Sequence, residues 1–213
     1  MFTGLIEAVC PVKSVRRSDS AMHLTVDLGK LADECKVGDS IAINGVCLTV
    51  AKLEGQLATF DISGETLGKS ALGKLKGASE VNVELSMKAS GRFGGHIVQG
   101  HIDGVGTIKV IEKPGEFANM KFAAGAELLQ TMVVKGSVAV DGISLTIASM
   151  DESGFGVAII LETLKRTTLG KAKVGDIVNI ESDIIAKIIK KQLDKILPSE
   201  GKLTVEKLKE LGF

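Results

Sequence analysis

The chain has 213 residues, enough for one large domain or two small domains that each bury their own core. Lys and Arg together number 26, as do Asp and Glu, and the only aromatic residues are seven Phe. This balance argues against binding to nucleic acid or to an anionic bilayer, and no stretch approaches the roughly 20 apolar residues that span a membrane. We therefore predict a cytoplasmic protein with no nucleic-acid partner and no membrane partner.

The beginning of the chain and its cysteines point to the same compartment. MFTGLIEAVCPVKSVRR, residues 1–17, has no basic start followed by a long apolar run, so it does not predict an export signal. Cys10, Cys35 and Cys47 are odd in number, widely spaced and without a CxxC pattern. This spacing argues against a disulfide framework or a zinc site and predicts reduced thiols.

The sequence contains an internal repeat. VGDSIAINGVCLTV at 37–50 returns 97 residues later as VKGSVAVDGISLTI at 134–147, and ETLGKSALGK at 65–74 returns at the same offset as ETLKRTTLGK at 162–171. VNVEL at 81–85 likewise pairs with VNIES at 178–182, and MFTGLIEAV at 1–9 matches IVQGHIDGV at 97–105 one residue out of step. Several segments in one register predict an internal duplication.

Each copy is built from short segments rich in Val, Ile and Thr, with Gly, Asp and Lys between them. SIAIN at 40–44 and VNVEL alternate with a period of two, which is typical of β-strands. Because closure removes exposed strand edges, we predict an all-β protein of two tandem, similar, six-stranded closed β-barrels. The expected boundaries are 1–87 for barrel one, 88–96 for a glycine-rich joint, and 97–183 for barrel two, whose first strand directly follows the joint.

The stretch GGHIVQGHIDGVG at 94–106 contains two of the three histidines. It lacks the Lys and Ser/Thr that complete a phosphate-binding P-loop. His96 and His101 lie five positions apart, on opposite faces of an extended strand, and Leu5 stands in copy one where His101 stands in copy two. We therefore predict no metal site here and expect His96 to face solvent or a turn.

The last part of the chain changes character. SDIIAKIIKKQLDKIL at 182–197 predicts an amphipathic helix that ends before Pro198, with Ile185, Ile189, Leu193 and Ile196 on one face. Such a helix either caps a barrel or pairs with its equivalents in other subunits, and pairing is favoured because both barrels close without it. LTVEKLKELGF at 203–213 predicts a short terminal helix or a frayed tail, so that 184–213 forms a helical segment.

Some polar residues differ between the copies and others recur. Cys47 in NGVCLTV has Ser144 as its partner in DGISLTI, so one barrel could hold a nucleophile and the other only a binder, although a small buried cysteine is the plainer alternative. Thr49 recurs as Thr146, and Thr66 as Thr163. These threonines are either ordinary strand residues or polar groups of a shared type of pocket.

Six segments, MFTGLIE, NGVCLTV, DISGETL, GGHIVQGHIDGVG, VDGISLTI and LETLKRTTLG, together resemble in order and spacing the alpha-type, two-barrel riboflavin synthase family over residues 1 to about 190. The resemblance implies a transferase that moves a four-carbon unit between two molecules of 6,7-dimethyl-8-ribityllumazine. The products are riboflavin and 5-amino-6-(D-ribitylamino)uracil, in the last step of riboflavin biosynthesis, with no cofactor and no metal. It also implies a homotrimer held by the C-terminal helices, whose site forms between barrel one of one subunit and barrel two of the next. Association with lumazine synthase is left open.

The resemblance further implies roles for individual residues. Ser40 and Cys47 stand beside the nucleophilic step, with bound water as an alternative nucleophile, His101 is a proton carrier, and Asp183 gives polar or acid–base assistance. Phe2 and Thr3 are expected to line the cleft. The substrate pocket of barrel one is expected to use Gly4, Leu5, Ile6, Cys47, Leu48, Thr49, Asp61, Ile62, Ser63, Gly64, Glu65 and Thr66. That of barrel two is expected to use Gly100, His101, Ile102, Lys135, Ser144, Leu145, Thr146, Ala158, Ile159, Ile160, Leu161, Glu162 and Thr163.

Two other functions fit a duplicated barrel. A non-catalytic binder similar to the lumazine proteins of bioluminescence would share the barrels without the reactive residues, but Ser40, Cys47, His101 and Asp183 are all present. An oligonucleotide-binding barrel is disfavoured by the zero net charge and the scarcity of aromatic residues.

Overall fold

The computed structural model describes residues 1–18, 21–113, 115, 117–196 and 209. Twelve strands in these ranges form two closed antiparallel barrels. Barrel one contains β1 (Ala8–Arg17), β2 (Ala21–Asp27), β3 (Ser40–Ile43), β4 (Val46–Glu54), β5 (Leu57–Ser63) and β6 (Glu80–Leu85). Barrel two contains β7 (Gly104–Glu112), β8 (Phe117–Ala123), β9 (Ser137–Val140), β10 (Ile143–Asp151), β11 (Gly154–Ile160) and β12 (Ile177–Ser182).

The two barrels have the same strand connectivity. Around barrel one the order is β1-β2-β5-β4-β3-β6, and β6 pairs with β1 to close the sheet. Around barrel two the order is β7-β8-β11-β10-β9-β12, and β12 pairs with β7. This confirms the predicted pair of six-stranded barrels, since each copy repeats the hydrophobic pattern that sets its register.

The interior of each barrel is filled by alternate strand residues. On β4 the side chains of Val46, Leu48 and Val50 are buried, whereas Cys47 and Thr49 between them point outward. β10 has the same burial pattern, with Leu145 inside the barrel and Thr146 exposed. Because the interiors of such small barrels are packed with side chains, a ligand site on this protein has to lie on the outer surface of a barrel.

Four α-helices accompany the barrels within the described ranges: α1 (Gly64–Lys69), α2 (Ala126–Leu129), α3 (Leu161–Arg166) and α4 (Ile184–Ile196). Three short 3-10 helices span Gly29–Glu34, Ala71–Lys74 and Thr168–Lys171. α4 confirms the predicted amphipathic helix, and the Asp183 Oδ1 atom accepts a hydrogen bond of 2.9 Å from the Ile185 N–H at its start. Pro198 and, apart from Lys209, the predicted terminal helix or tail lie outside the described residues. Across the described helices, none has the length and apolar character needed to cross a bilayer.

The first strand of the second copy begins later than predicted, at Gly104 rather than directly after the joint. Residues 96–103 instead form an irregular segment, here called the second arm, which corresponds to an N-terminal arm at 1–7. The two arms pair with each other, because Phe2 and Val98 form an antiparallel bridge with N–H···O distances of 2.8 and 3.1 Å. Phe2 and Val98 are fully buried with Ala42 and Ala139 in a small apolar cluster between the barrels.

A symmetrical set of hydrogen bonds joins the barrels beside this cluster. The Asn82 side-chain amide donates to the Asp141 carbonyl at 2.9 Å, and the equivalent Asn179 amide donates to the Asn44 carbonyl at 2.8 Å. Both amide side chains are fully buried, so each bond satisfies a group whose burial would otherwise be costly. These two buried amide hydrogen bonds therefore help to hold the barrels in one relative placement.

Candidate functional site: two surface sites completed by crossed arms

Each arm reaches the outer surface of the opposite barrel. The Gly4 carbonyl accepts a hydrogen bond of 2.8 Å from the Ser144 N–H of barrel two, and the Gly100 carbonyl accepts one of 2.9 Å from the Cys47 N–H of barrel one. Ile6 correspondingly packs against the core of barrel two, and Ile102 against the core of barrel one.

These contacts reverse the predicted allocation of the arms. Gly4, Leu5 and Ile6 were expected at the barrel-one pocket, and Gly100, His101 and Ile102 at the barrel-two pocket. The allocation was wrong because the Phe2–Val98 bridge carries each arm across the interface between the barrels before its chain returns to its own first strand.

The first site is a cavity of about 290 Å³ on barrel one. Thr66 is placed there by the start of α1, where the Ser63 Oγ atom accepts a hydrogen bond of 3.2 Å from the Thr66 N–H. The cavity gathers six residues that were predicted separately along the chain, and its lining is Val46, Cys47, Glu65, Thr66, Lys69, Ser70, Gly100, His101 and Ile102. A thiol, an imidazole and a hydroxyl therefore face one opening.

The equivalent surface of barrel two is centred on Ser144. The His96 Nδ1 atom lies 2.7 Å from the Ser144 Oγ atom. His96 is only 7% exposed, so the expectation of a solvent-facing or turn histidine was wrong. Burial lowers the pKa of His96, and the negative charge of Asp183 opposes this effect. The His96 Nε2 atom is buried and has no hydrogen-bond partner among the described residues.

Two buried glutamates hold the arms. The Glu84 carboxylate accepts hydrogen bonds from the Thr3 N–H at 2.6 Å, the Thr3 Oγ1–H at 2.8 Å and the Gly4 N–H at 3.0 Å. The Glu181 carboxylate accepts from the Gln99 N–H at 2.8 Å and the Gly100 N–H at 2.9 Å. Burial raises the pKa of both carboxyl groups, and the hydrogen bonds they accept oppose that rise.

Comparison with known proteins settles the family. The lumazine binding domain model matches the chain twice, at residues 3–86 and 99–183. Riboflavin synthase of Actinobacillus pleuropneumoniae is 42% identical over 215 residues, which cover 100% of both chains, and that of Bacillus subtilis (strain 168) is 38% identical with the same coverage. The chain belongs to the riboflavin synthase family.

Solved structures share the fold at low sequence identity. The crystal structure of LumP complexed with 6,7-dimethyl-8-(1'-D-ribityl) lumazine has a TM-score of 0.79 at 20% identity, and that of LumP complexed with riboflavin has a TM-score of 0.80 at 22% identity. Each match covers 85% of this chain and 99% of the other. The riboflavin synthase family and LumP thus have the duplicated barrel in common.

The four residues predicted as catalytic from the riboflavin synthase resemblance lie in three places on one chain. Cys47 and His101 share the barrel-one site. Ser40, which pairs with Thr49 across the β3–β4 hairpin, lines a separate cavity of about 460 Å³. Asp183 lies in a groove between α4 and barrel two. A single chain therefore does not bring Ser40 or Asp183 to Cys47.

The predicted substrate-binding residues divide by exposure. Phe2 is fully buried between the barrels and does not line a cleft, and Thr3 is buried against Glu84. Four side chains point into barrel interiors, so only their backbone can reach a surface ligand: Leu48, Ile62, Leu145 and Ile159. The exposed residues are Leu5, Thr49, Asp61, Ser63, Gly64, Lys135, Thr146, Ala158, Ile160, Leu161 and Glu162, and Thr163 is half-buried. Among these, the Asp61 carboxylate pairs with the His23 Nδ1 atom at 2.7 Å.

Sequence reasoning missed His96, Glu84 and Glu181. The two glutamates carried a detectable signal, because VNVEL and VNIES place an acidic residue at the same strand position in both copies, directly after an aliphatic residue. A charge kept at a buried strand position in both halves indicates a shared structural partner. His96 carried no such signal, because its aligned position falls outside the repeated segments.

Proposed function

We propose that the chain catalyses the dismutation of two 6,7-dimethyl-8-ribityllumazine molecules into riboflavin and 5-amino-6-(D-ribitylamino)uracil by four-carbon transfer. The observation that carries this is the pair of equivalent contacts between an arm and the opposite barrel, one at Cys47 and one at Ser144, in a chain that matches riboflavin synthases over its full length. A reaction of a substrate with itself needs two similar sites. Holding both substrates in reactive orientation contributes up to about 7–11 kcal/mol toward lowering the barrier.

The chemistry requires a base for the carbon-7 methyl group of one lumazine and a nucleophile for carbon 7 of the other. We propose the barrel-one site for the nucleophilic step, since Cys47 and the exposed His101 line the same cavity. The nucleophile is Cys47 itself or a water that Cys47 positions. At the barrel-two site the Ser144 hydroxyl, oriented by His96, is a binding group for the second lumazine.

We propose that the chain works as a homotrimer. Five large apolar side chains of α4 are 50–54% exposed: Ile185, Ile188, Ile189, Leu193 and Ile196. An open groove of about 680 Å³ runs between this helix and barrel two. We assign both surfaces to the α4 helices of two further copies, because a neighbouring chain can also bring Asp183 toward a barrel-one site that one chain leaves without it.

We further propose a cytoplasmic location and an association with lumazine synthase. The three cysteines are free thiols, which fits a reducing cytoplasm, and cell fractionation tests that location. Association with lumazine synthase would shorten the path of the substrate, and co-sedimentation of the two purified proteins tests it.

The decisive experiment is a conversion assay on the purified full chain with 6,7-dimethyl-8-ribityllumazine, with chelator present and no metal added. Riboflavin absorbance and fluorescence should appear, with two ligands taken up per chain at saturation. A bound fluorophore without conversion would identify a binder of the lumazine-protein kind instead. Tight, salt-sensitive oligonucleotide binding in a gel-shift assay would instead support an oligonucleotide-binding barrel.

Substitution of Cys47 distinguishes the two nucleophiles. If the thiolate attacks carbon 7, Cys47→Ser lowers kcat by at least about a hundredfold, while a water mechanism leaves turnover nearly unchanged. Single-turnover kinetics on Cys47→Ser, with Cys35→Ser as the control thiol outside this cavity, make the measurement. Unchanged turnover in Cys47→Ser removes the thiolate from the mechanism.

A further inference from the structure

We propose that each buried glutamate positions the ligand site of the opposite barrel: Glu181 of barrel two sets the geometry of the site at Cys47, and Glu84 of barrel one sets that of the site at Ser144. The ligands concerned are those of the proposed function, on which this inference rests. The two sites of one chain are then coupled crosswise through the arms.

The second arm is held by barrel two at both ends. Glu181 accepts the N–H groups of Gln99 and Gly100, and further along the arm the Asp103 Oδ2 atom accepts the Ser182 N–H at 2.8 Å. Between these two attachments the chain reaches out to barrel one and presents His101 and Ile102 to its cavity. The position of the part that touches the ligand site therefore depends on where barrel two holds the arm.

Gly100 is the residue through which this placement reaches Cys47. Its N–H donates to Glu181 while its carbonyl accepts the Cys47 N–H at 2.9 Å, so one residue is held from both barrels. Its φ of +79° favours glycine, and an added Cβ would lie 2.5 Å from the Cys47 Cβ atom. Because the two backbones approach so closely, a shift of the Glu181 carboxylate moves Gly100 and, with it, the strand β4 that carries Cys47.

The N-terminal arm repeats the arrangement with the barrels exchanged. Glu84 accepts the N–H groups of Thr3 and Gly4, and the Glu7 Oε1 atom accepts the Leu85 N–H of the same barrel at 2.8 Å. Between them the Gly4 carbonyl accepts the Ser144 N–H of barrel two at 2.8 Å. The two glutamates are 4% and 2% exposed, so their hydrogen bonds are shielded from solvent.

The test exchanges each carboxylate for its isosteric amide. In Glu181→Gln an amide N–H replaces one acceptor and faces a backbone N–H donor, which loosens the second arm without changing side-chain volume. Glu84→Gln does the same to the N-terminal arm. The two substitutions are equivalent in the duplicated structure, so each one is the matched control of the other.

A thiol at each site reports which site is affected. In a Cys35→Ser background, alkylation of Cys47 reports the barrel-one site, because burial raises the pKa of Cys10 to about 11 and makes that thiol slow to react. Cys35→Ser, Cys47→Ser and Ser144→Cys together move the reporter to barrel two. The backbone and Cβ atoms of Cys47 pack against Gly100 as those of Ser144 pack against Gly4, so a thiol at position 144 starts from a backbone placed like that of Cys47. Riboflavin is the protecting ligand.

We expect Glu181→Gln to raise the riboflavin concentration that half-protects Cys47 by about tenfold, and to leave protection at position 144 within about twofold. Glu84→Gln should give the opposite pattern. Equal effects on both sites, or an effect of each substitution on the site of its own barrel, would overturn the inference. A general loosening of the fold would produce the first of these patterns, so crossed selectivity separates positioning from a merely structural role.

Two further measurements keep the outcome decisive. If riboflavin protects neither reporter thiol when both glutamates are intact, the proposed function fails rather than the inference. If a Gln variant does not fold, Thr3→Val removes only the hydroxyl bond to Glu84 and should weaken protection at position 144 alone, by a few-fold. An unchanged position 144 in that variant, with its thermal unfolding temperature retained, would count against the proposal.

Discussion

Asp141 and Asn44 occupy equivalent turns between the barrels, but only one of them can carry a charge. Both have φ of 45°, and each side chain accepts a backbone N–H of the neighbouring last strand, Asn179 at 2.8 Å and Asn82 at 2.7 Å. An amide oxygen therefore performs the same structural task as the carboxylate. Burial raises the pKa of Asp141 to about 7, so ionising it in the folded state is costly.

We predict that Asp141→Asn stabilises the protein at alkaline pH. Because the folded-state pKa lies above the unfolded value, the contribution of Asp141 to stability is full below about pH 4 and is lost as pH rises toward 7. At pH 8 the substitution should raise the free energy of unfolding by on the order of 2 kcal/mol, with little change at pH 4. Denaturant unfolding at both values measures this. Asn44→Asp is the reverse control, and a gain of equal size at both pH values would contradict the argument.

His96 should make the protein sensitive to acid. Its pKa is lowered by burial, so the unfolded chain binds the proton more readily, and stability falls as pH drops below about 6.5, the unfolded value. His96→Asn keeps a polar group near the Nδ1 position and should flatten this loss. His96→Ala leaves the Ser144 hydroxyl without this hydrogen-bond partner and should lower the free energy of unfolding by about 1–3 kcal/mol at pH 8. Thermal unfolding between pH 5 and 8 measures both effects, and a pH profile unchanged in His96→Asn would contradict the first.

At the scale of elements, the β3–β4 and β9–β10 hairpins meet tip to tip. A Cβ added to Gly45 would lie 2.5 Å from the Gly142 backbone nitrogen, and Gly45 also has φ of +76°. Gly45→Ala should therefore separate the hairpins and destabilise the protein by about 3 kcal/mol or more, because clash is added to the backbone cost of a left-handed residue. Gly55→Ala is the control, since its φ is +57° and nothing lies within 4 Å of its added Cβ.

Chemical denaturation of the two glycine variants measures this difference. In Gly55→Ala the free energy of unfolding should fall by only about 1–2 kcal/mol, because the left-handed backbone conformation is the only cost there. Equal losses in the two variants would mean that the contact between the hairpins does not constrain the barrels. The comparison isolates the interface because both glycines lie in hairpin turns of barrel one.

At the scale of the whole molecule, the exposed apolar face of α4 should determine assembly. Leu193→Asp places a charge on the face that we assign to neighbouring helices, so the proposed trimer should dissociate and conversion should fall at least about tenfold, while riboflavin binding to each barrel persists. Gln192→Asp adds the same charge at an exposed polar position of the same helix and should remain trimeric. Sedimentation velocity with a parallel conversion assay measures both, and a trimer that survives in Leu193→Asp would contradict the assignment.

The repeat at 97 residues, the two-residue alternation and the amphipathic stretch before Pro198 were sufficient to predict the two barrels and α4, because local periodicity reports which side chains share a buried face. Six motifs in order were sufficient for the family. The crossing of the arms, the burial of His96 and the anchoring by Glu84 and Glu181 were decided only in the tertiary structure. An irregular, glycine-rich segment has no residue periodicity from which its packing partner can be predicted. The barrel on which it packs is set by contacts between residues about 80 positions apart.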